Sequence, residues 1–403
     1  MSSPRLWLAS AEEIRQGLTT DVYFVRTLEV LKAKRLDRKV AYAEFTAGGL
    51  PEGRPWGIFC GLEEAVRLLE GIPVDLKAVP EGTLFPARDP MGVRVPVMAI
   101  EGAYGRYCLY ETPLLGLICQ ATGVATKAAR IRKAAETASV LAFGVRRMHP
   151  AIAPMLDRAS YLGGCDGVSS LAGAKAIGKE PMGTMPHALM IAFGDQRAAW
   201  AAFDQVMPKS VPRVLLVDTY SDEKTEALLA AELLGKRLEG IRLDTPGSRR
   251  GDLCDLVREI RWELDLRGYG SVRIMVSGGI DEAQIPSLLK AGVAGFGIGT
   301  AISNAPTVDF AMDIVEMEGR PCAKRGKFGG RKEPWGCPRC LQVKVMPIPG
   351  RSKGSGHVPR CEACRKPLRP LFQTVLKAGK RVGRLPDAET IRGAVLDQLK
   401  LIA

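Results

Sequence analysis

Two sets of residues in this chain have the types and spacing that chemistry needs. The first is polar and recurs at the ends of apolar runs: Arg146-Arg147-Met148-His149, Ser169-Ser170, Thr184-Met185-Pro186-His187, Asp218-Thr219, Arg242-Leu243-Asp244, Ser277-Gly278-Gly279 and Gly299-Thr300. One such polar end is usually a helix cap. Seven in succession point to a shared active site. Arg146, Arg147 and Arg242 suit phosphate or carboxylate, because the planar guanidinium gives two hydrogen bonds to either group. Arg147 has a structural alternative, an ion pair supporting the fold. Asp218 and Asp244 can hold ribose hydroxyls or a magnesium ion, or can cap the helices that follow. Ser277-Gly278-Gly279-Ile280-Asp281 and Gly297-Ile298-Gly299-Thr300 look like a phosphate cradle. Glycines let backbone N–H groups approach phosphate oxygens, and helix N-termini add a favourable dipole. His187, one of three histidines, follows a Gly-Thr turn and could act as a nucleophile or base.

The second set is Cys337-Pro338-Arg339-Cys340 and Cys361-Glu362-Ala363-Cys364. Two Cys-x-x-Cys pairs at this separation fit a tetrahedral four-thiolate zinc site, with redox pairs or disulfides as the alternatives. Four protein ligands leave no open position, so the site reads as structural. His357 is near in sequence and is not expected to be a ligand. The other cysteines (60, 108, 119, 165, 254 and 322) read as small reduced core residues.

These groups need elements to position them. Residues 1–117 read as an α+β domain, with Ser10 capping a first helix and strands at Val40–Phe45, Val74–Val79 and Val93–Ile100. Residues 118–305 alternate strand and helix in seven units, Pro181–Thr184 among them, which implies a parallel sheet. That many units fit a closed βα barrel better than an open sheet, and barrels gather reactive groups at the C-terminal ends of their strands. Residues 306–333 supply a return strand, Phe310–Glu318, and a basic loop. Residues 334–403 form the four-cysteine zinc-binding module and a helix over Asp387–Leu401. The fold class expected is α/β: an irregular βα barrel with an N-terminal α+β domain and a small C-terminal zinc-binding module.

Composition agrees. The 403 residues are 46% hydrophobic and 25% charged, which excludes wholesale disorder. No apolar run is long enough to span a membrane, and no signal pattern opens the chain, so a cytoplasmic protein is expected. The net charge of +13 is uneven: from Arg320 onward there are 20 Lys or Arg against 5 Asp or Glu. Aromatic residues are sparse there (Phe328, Trp335 and Phe372), which argues against base stacking. The tail therefore reads as a solubilising or oligomer-contacting appendage, and as the only place where nucleic acid would bind.

The motifs together resemble nicotinate phosphoribosyltransferase, in the type II phosphoribosyltransferase group and most closely its short archaeal form. The resemblance spans roughly Thr19 to Lys332. It rests on Thr20-Asp21-Val22-Tyr23, Phe143-Gly144-Val145-Arg146-Arg147-Met148-His149-Pro150, Gly183-Thr184-Met185-Pro186-His187, Asp218-Thr219-Tyr220, Ile241-Arg242-Leu243-Asp244 and Gly297-Ile298-Gly299-Thr300. It implies that nicotinate and phosphoribosyl pyrophosphate (PRPP), with Mg2+, give nicotinate mononucleotide and pyrophosphate in NAD biosynthesis. It also implies ATP hydrolysis coupled through phosphorylation of His187. The implied catalytic set is His187, Asp218 and Asp244. The implied substrate-binding set is Tyr23, Arg146, Arg147, Thr184, Arg242, Ser277, Gly278, Gly279, Gly299 and Thr300. Tyr23 would stack on the pyridine ring across a subunit interface, so a homodimer or higher homo-oligomer with shared sites is expected. Ala188 departs from the family's small polar residue after the histidine. The rivals are a quinolinate enzyme, a nicotinamide enzyme and a non-catalytic barrel with an RNA-binding zinc tail. A quinolinate enzyme should carry a further basic cluster, an Arg-Lys-Thr run, and Arg146-Arg147 stands in its place.

Overall fold

A computed structural model describes residues 6–249, 251–348 and 358–402. His357 lies outside the described residues. The chain forms two units, Met1–Thr126 with Pro306–Ala403, and Lys127–Ala305. The helix Glu111–Ala134 runs from the first into the second.

The first unit is built on a seven-stranded antiparallel sheet, ordered Arg320–Pro321, Phe310–Met317, Val40–Ala47, Pro96–Ala103, Asp75–Ala78, Gln373–Lys377, Lys380–Arg381. Val40–Ala47 is flanked on both sides and buried from Ala41 onward. Ala41 and Ala43 alternate there with Tyr42 and Glu44, and these small residues keep the strand thin enough to be covered on both faces. Phe45, Phe59, Leu69, Leu76, Ile100, Ile118 and Phe310 share one apolar core. The sequence suggests a return strand at Phe310–Glu318 and a module from residue 334 onward. The fold brings strands of both to this sheet, where Phe310, Val375 and Leu376 bury their side chains in the same core. Asp387 caps the last helix, Ala388–Leu401, by accepting the Thr390 N–H at 2.8 Å. Ser10 caps the first through a capping box with Glu13. Lys332 is tied to the buried Glu44 at 2.8 Å, at the head of a small antiparallel sheet of Lys332–Gly336, Val343–Pro347 and Arg369–Pro370.

The second unit is a curled, fully parallel sheet of six strands, ordered Gly167–Val168, Ser139–Ala142, Val293–Ile298, Arg273–Val276, Gly240–Leu243, Val214–Leu216. These strands read as short apolar runs, as expected where helices cover a parallel sheet. Among the described residues the irregular barrel is thus a half-barrel of six strands, with Gly167–Val168 and Val214–Leu216 as its open edges, and not the closed barrel of seven units the sequence suggests. Pro181–Thr184 forms no strand. Pro181 and Pro186 offer no N–H and Gly183 no side chain, which leaves little to hold a ladder. The segment keeps one bond to the sheet edge, Met182 N–H to Val168 C=O at 2.8 Å. No helix of the described residues is long and apolar enough to cross a membrane.

Candidate active site

Neighbouring strands are in register, with Leu216 opposite Arg242, Arg242 opposite Met275, and Leu243 opposite Val276. The residues just beyond the strand ends, Asp218, Asp244 and Ser277, therefore arrive at one level. His187 opens the helix His187–Phe193, with Pro186 before it fixing the entry. Its ring lies among these residues: Nδ1 is 3.1 Å from Thr219 Oγ1, and Nε2 is 3.5 Å from Asp218 Oδ1 and 3.9 Å from Asp244 Oδ2.

The carboxylates are tied into the backbone. Asp218 Oδ2 accepts the Asp244 N–H at 2.6 Å and the Thr245 hydroxyl at 2.8 Å. Thr245 Oγ1 also lies 2.6 Å from Glu223 Oε1. Ser277 Oγ donates to Asp244 Oδ1 at 2.7 Å. Burial pushes the Asp218 carboxyl above its usual range, against the Thr245 and Asp244 hydrogen bonds and His187, which pull it down. Neither aspartate caps a helix, since Asp222 and Asp252 do so. Arg242 is half-buried and donates from Nη2 to the Met185 carbonyl at 3.0 Å. Burial lowers its pKa, and Asp244 and Asp218 oppose that. Three buried polar atoms here have no hydrogen-bond partner: Asp218 Oδ1, Arg242 Nε and Thr184 Oγ1. Buried polar groups are normally paired, so a ligand or ordered water can supply the partners at this concentration of polar atoms.

The glycines of the two late strand ends differ. Gly278 and Gly279 have φ of +81° and +76°, and a side chain at Gly278 would come within 3.0 Å of the Asp244 carbonyl and carboxylate. Gly279 faces open space. Gly299 precedes Thr300, whose side chain is exposed.

The remaining expected residues are each placed by their own local structure. Arg146 and Arg147 lie on a 3-10 turn, exposed, and neither forms an ion pair among the described residues. The supporting ion pair considered for Arg147 is therefore absent from them. His149 caps a turn by accepting the Ala151 N–H. Ser170 caps the helix Leu171–Ile177 and bonds Asp157 at 2.5 Å. Tyr23 belongs to the first unit, 56% exposed on the helix Val22–Ala33. Sequence reasoning missed Thr219 as the partner of His187, although it stands in the Asp-Thr motif. It also missed Glu226, which has no local signal: it sits one turn into a helix like any surface glutamate.

The four cysteines form two matching knuckles. Leu341 N–H bonds the Cys337 carbonyl, and Arg365 N–H bonds that of Cys361. Leu341 and Arg365 both take left-handed backbone, with φ of +59° and +60°. The four sulfurs lie within 4.8 Å of one another, with 3.4 Å between Cys337 and Cys364 and between Cys340 and Cys361. A tetrahedral zinc–thiolate centre needs edges of about 3.8 Å, so the cluster can hold a metal ion.

Comparison with known proteins identifies relatives of this chain. The family described as Quinolinate phosphoribosyl transferase, N-terminal domain, matches residues 21–122, and its C-terminal domain matches residues 124–313. Fold and family match thus define a phosphoribosyltransferase of this two-domain class. A nicotinate phosphoribosyltransferase of Mycobacterium tuberculosis is 32% identical over 356 residues, covering 78% of this chain and 73% of that protein. A solved structure titled nicotinate-nucleotide pyrophosphorylase from Pyrococcus furiosus is 48% identical with a TM-score of 0.92, covering 99% of this chain and 98% of that one. Human nicotinic acid phosphoribosyltransferase shares the fold, with a TM-score of 0.77 at 22% identity over 95% of this chain and 94% of that one. The chain belongs to the nicotinate phosphoribosyltransferase family.

Proposed function

We propose that this protein transfers the phosphoribosyl group of PRPP to the ring nitrogen of nicotinate, forming nicotinate mononucleotide and releasing pyrophosphate, as a step of NAD biosynthesis. The observation that carries this reading is Arg242, a half-buried guanidinium whose Nε has no partner, beside a histidine and two carboxylates. One such fork suits one carboxylate, which favours nicotinate over the diacid quinolinate and over the uncharged nicotinamide.

The remaining roles follow from chemistry. The pyridine nitrogen is already a nucleophile, so the protein's task is positioning and charge stabilisation. Asp218 and Asp244 would hold a magnesium ion or the ribose hydroxyls: Asp218 Oδ1 is buried without a hydrogen-bond partner, and hard oxygen donors suit that ion. Bound there, magnesium would stabilise charge on the departing pyrophosphate. The open backbone at Gly278, Gly279, Gly299 and Thr300, with Ser277, would receive the 5′-phosphate. Thr184 Oγ1, Arg146 and Arg147 remain to grip substrate oxygens. His187 would accept a phosphoryl group from ATP and so couple its hydrolysis to the transfer. Tyr23, exposed with Val22, Val25 and Val30 on one helix, supports a homo-oligomer in which it stacks on the partner's substrate. The cysteines would hold a structural zinc.

The test supplies purified protein with PRPP and magnesium plus nicotinate, nicotinamide or quinolinate, each with and without ATP. Pyrophosphate and nicotinate mononucleotide should form fastest from nicotinate. Product from quinolinate alone would replace this reading with its rival. His187→Ala should abolish stimulation by ATP, and stimulation that survives unaltered removes the phosphohistidine role.

A further inference from the structure

Glu226 is fully buried, 0% exposed, and its carboxylate faces no cation within ion-pair distance among the described residues. It is spent on the backbone instead. Oε2 accepts the N–H of Thr219 at 3.0 Å, and Oε1 accepts those of Tyr220 and Ser221 at 2.7 Å each. Gln196 adds its amide N–H groups once its side chain is turned to face the acid. Three consecutive N–H groups on one buried acid fix the loop after Asp218. That loop makes two contacts with the His187 helix: Thr219 Oγ1 meets His187 Nδ1 at 3.1 Å, and the Tyr220 hydroxyl donates to the Met190 carbonyl at 3.1 Å. A hydrogen bond at one imidazole nitrogen decides which nitrogen carries the proton.

We propose that Glu226 is a positioning residue for His187. By clamping residues 219–221 it holds the Thr219 hydroxyl against Nδ1, which fixes the ring in one tautomer with Nε2 toward Asp218 and Asp244. A neutral brace of the loop could not do this as well. A glutamine at 226 has one accepting oxygen and would present its NH2 to the Thr219 N–H, donor against donor. This inference rests on the proposed role of His187 for its purpose, but its geometry can be measured without turnover.

The experiment labels the histidines of the full chain with 15N and reads the long-range 1H–15N pattern, which differs between the two tautomers. With three histidines in the sequence, a His187→Gln spectrum assigns the signal. The wild type should show the pattern of a single tautomer, and Glu226→Gln should shift it to a mixture. ATP stimulation should fall about tenfold or more, as when a group orienting a working histidine is lost. If Glu226→Gln does not fold, Thr219→Val carries the same test. An unchanged tautomer pattern in the folded variant overturns the proposal. A changed pattern in a protein that transfers nothing to nicotinate upholds the positioning and rejects the proposed function.

Discussion

Asp218 Oδ2 accepts the main-chain N–H of Asp244 at 2.6 Å, so the carboxylates that end two adjacent strands are locked together through the backbone. One residue thereby holds structure with one oxygen and faces His187 with the other. The two duties separate by substitution. Asp218→Asn can keep an oxygen on Asp244 N–H and Thr245 while presenting an amide to His187. Its turnover should fall by about a hundredfold, typical for loss of one preorganised electrostatic group, with little change in melting temperature. Asp218→Ala leaves the Asp244 N–H unpaired and should lose about 1–3 kcal/mol of stability as well. Steady-state kinetics beside thermal melts check this, and equal melting losses in both variants would contradict the division.

The glycine pair next to these acids makes a second contrast. Both positions need left-handed backbone, so alanine at either adds a strain of roughly 1–2 kcal/mol. Only at Gly278 would the new methyl also press on Asp244, at 3.0 Å from its carbonyl and carboxylate. Gly278→Ala should therefore lower kcat strongly. Gly279→Ala should act mainly on the KM for PRPP, by narrowing the approach of phosphate to the backbone. Matching kinetic profiles for the two would show that proximity to Asp244 does not matter.

Much of this site is legible in the sequence because parallel strands in register deliver whatever follows them to one edge. Asp218, Arg242, Asp244 and Ser277 could be placed together from their positions after apolar runs alone. The four-cysteine cluster is equally legible, since two short knuckles need only local turns and one antiparallel pairing to meet. What escapes is set by long-range partners. Glu226 looks like any helix-face glutamate until the loop before its helix folds back onto it. Pro181–Thr184 has strand-like placement in the sequence, but Pro181 within it and Pro186 just after it leave too few donors for a ladder. The return of Gln373–Lys377 to the N-terminal sheet is a pairing across most of the chain, which no local pattern announces.

The cysteine cluster should carry its small sheet. Among the described residues, Val343, Val345 and Leu368 are its buried apolar side chains beside Cys337 and Cys361, too few for an independent core. Metal bound by four thiolates then contributes folding free energy directly. Cys337→Ser should abolish bound zinc, measured by metal analysis. It should also increase proteolytic cleavage between Lys332 and Arg369, and chelator treatment of the wild type should do the same. Full zinc content in the variant would reject the four-thiolate site.

A last prediction concerns pH. Burial pushes the Glu111 carboxyl up from an ordinary 4.5 to about 7, with Asp313 and Asp21 adding to the rise and Lys324 opposing it. Between these values the folded protein keeps a proton that the unfolded chain has released. Stability from this group is therefore fully present below pH 4.5 and is lost as pH rises through about 7. Carboxyls held low, such as Asp313 and Asp75, act in the opposite direction and mostly at lower pH. The informative quantity is thus the difference between wild type and Glu111→Gln. The variant should melt near the wild-type temperature at pH 5 and above it at pH 8, because the glutamine never carries the buried charge. Thermal melts across that range decide the matter: a difference that stays constant with pH would mean that Glu111 titrates alike in the folded and unfolded chain.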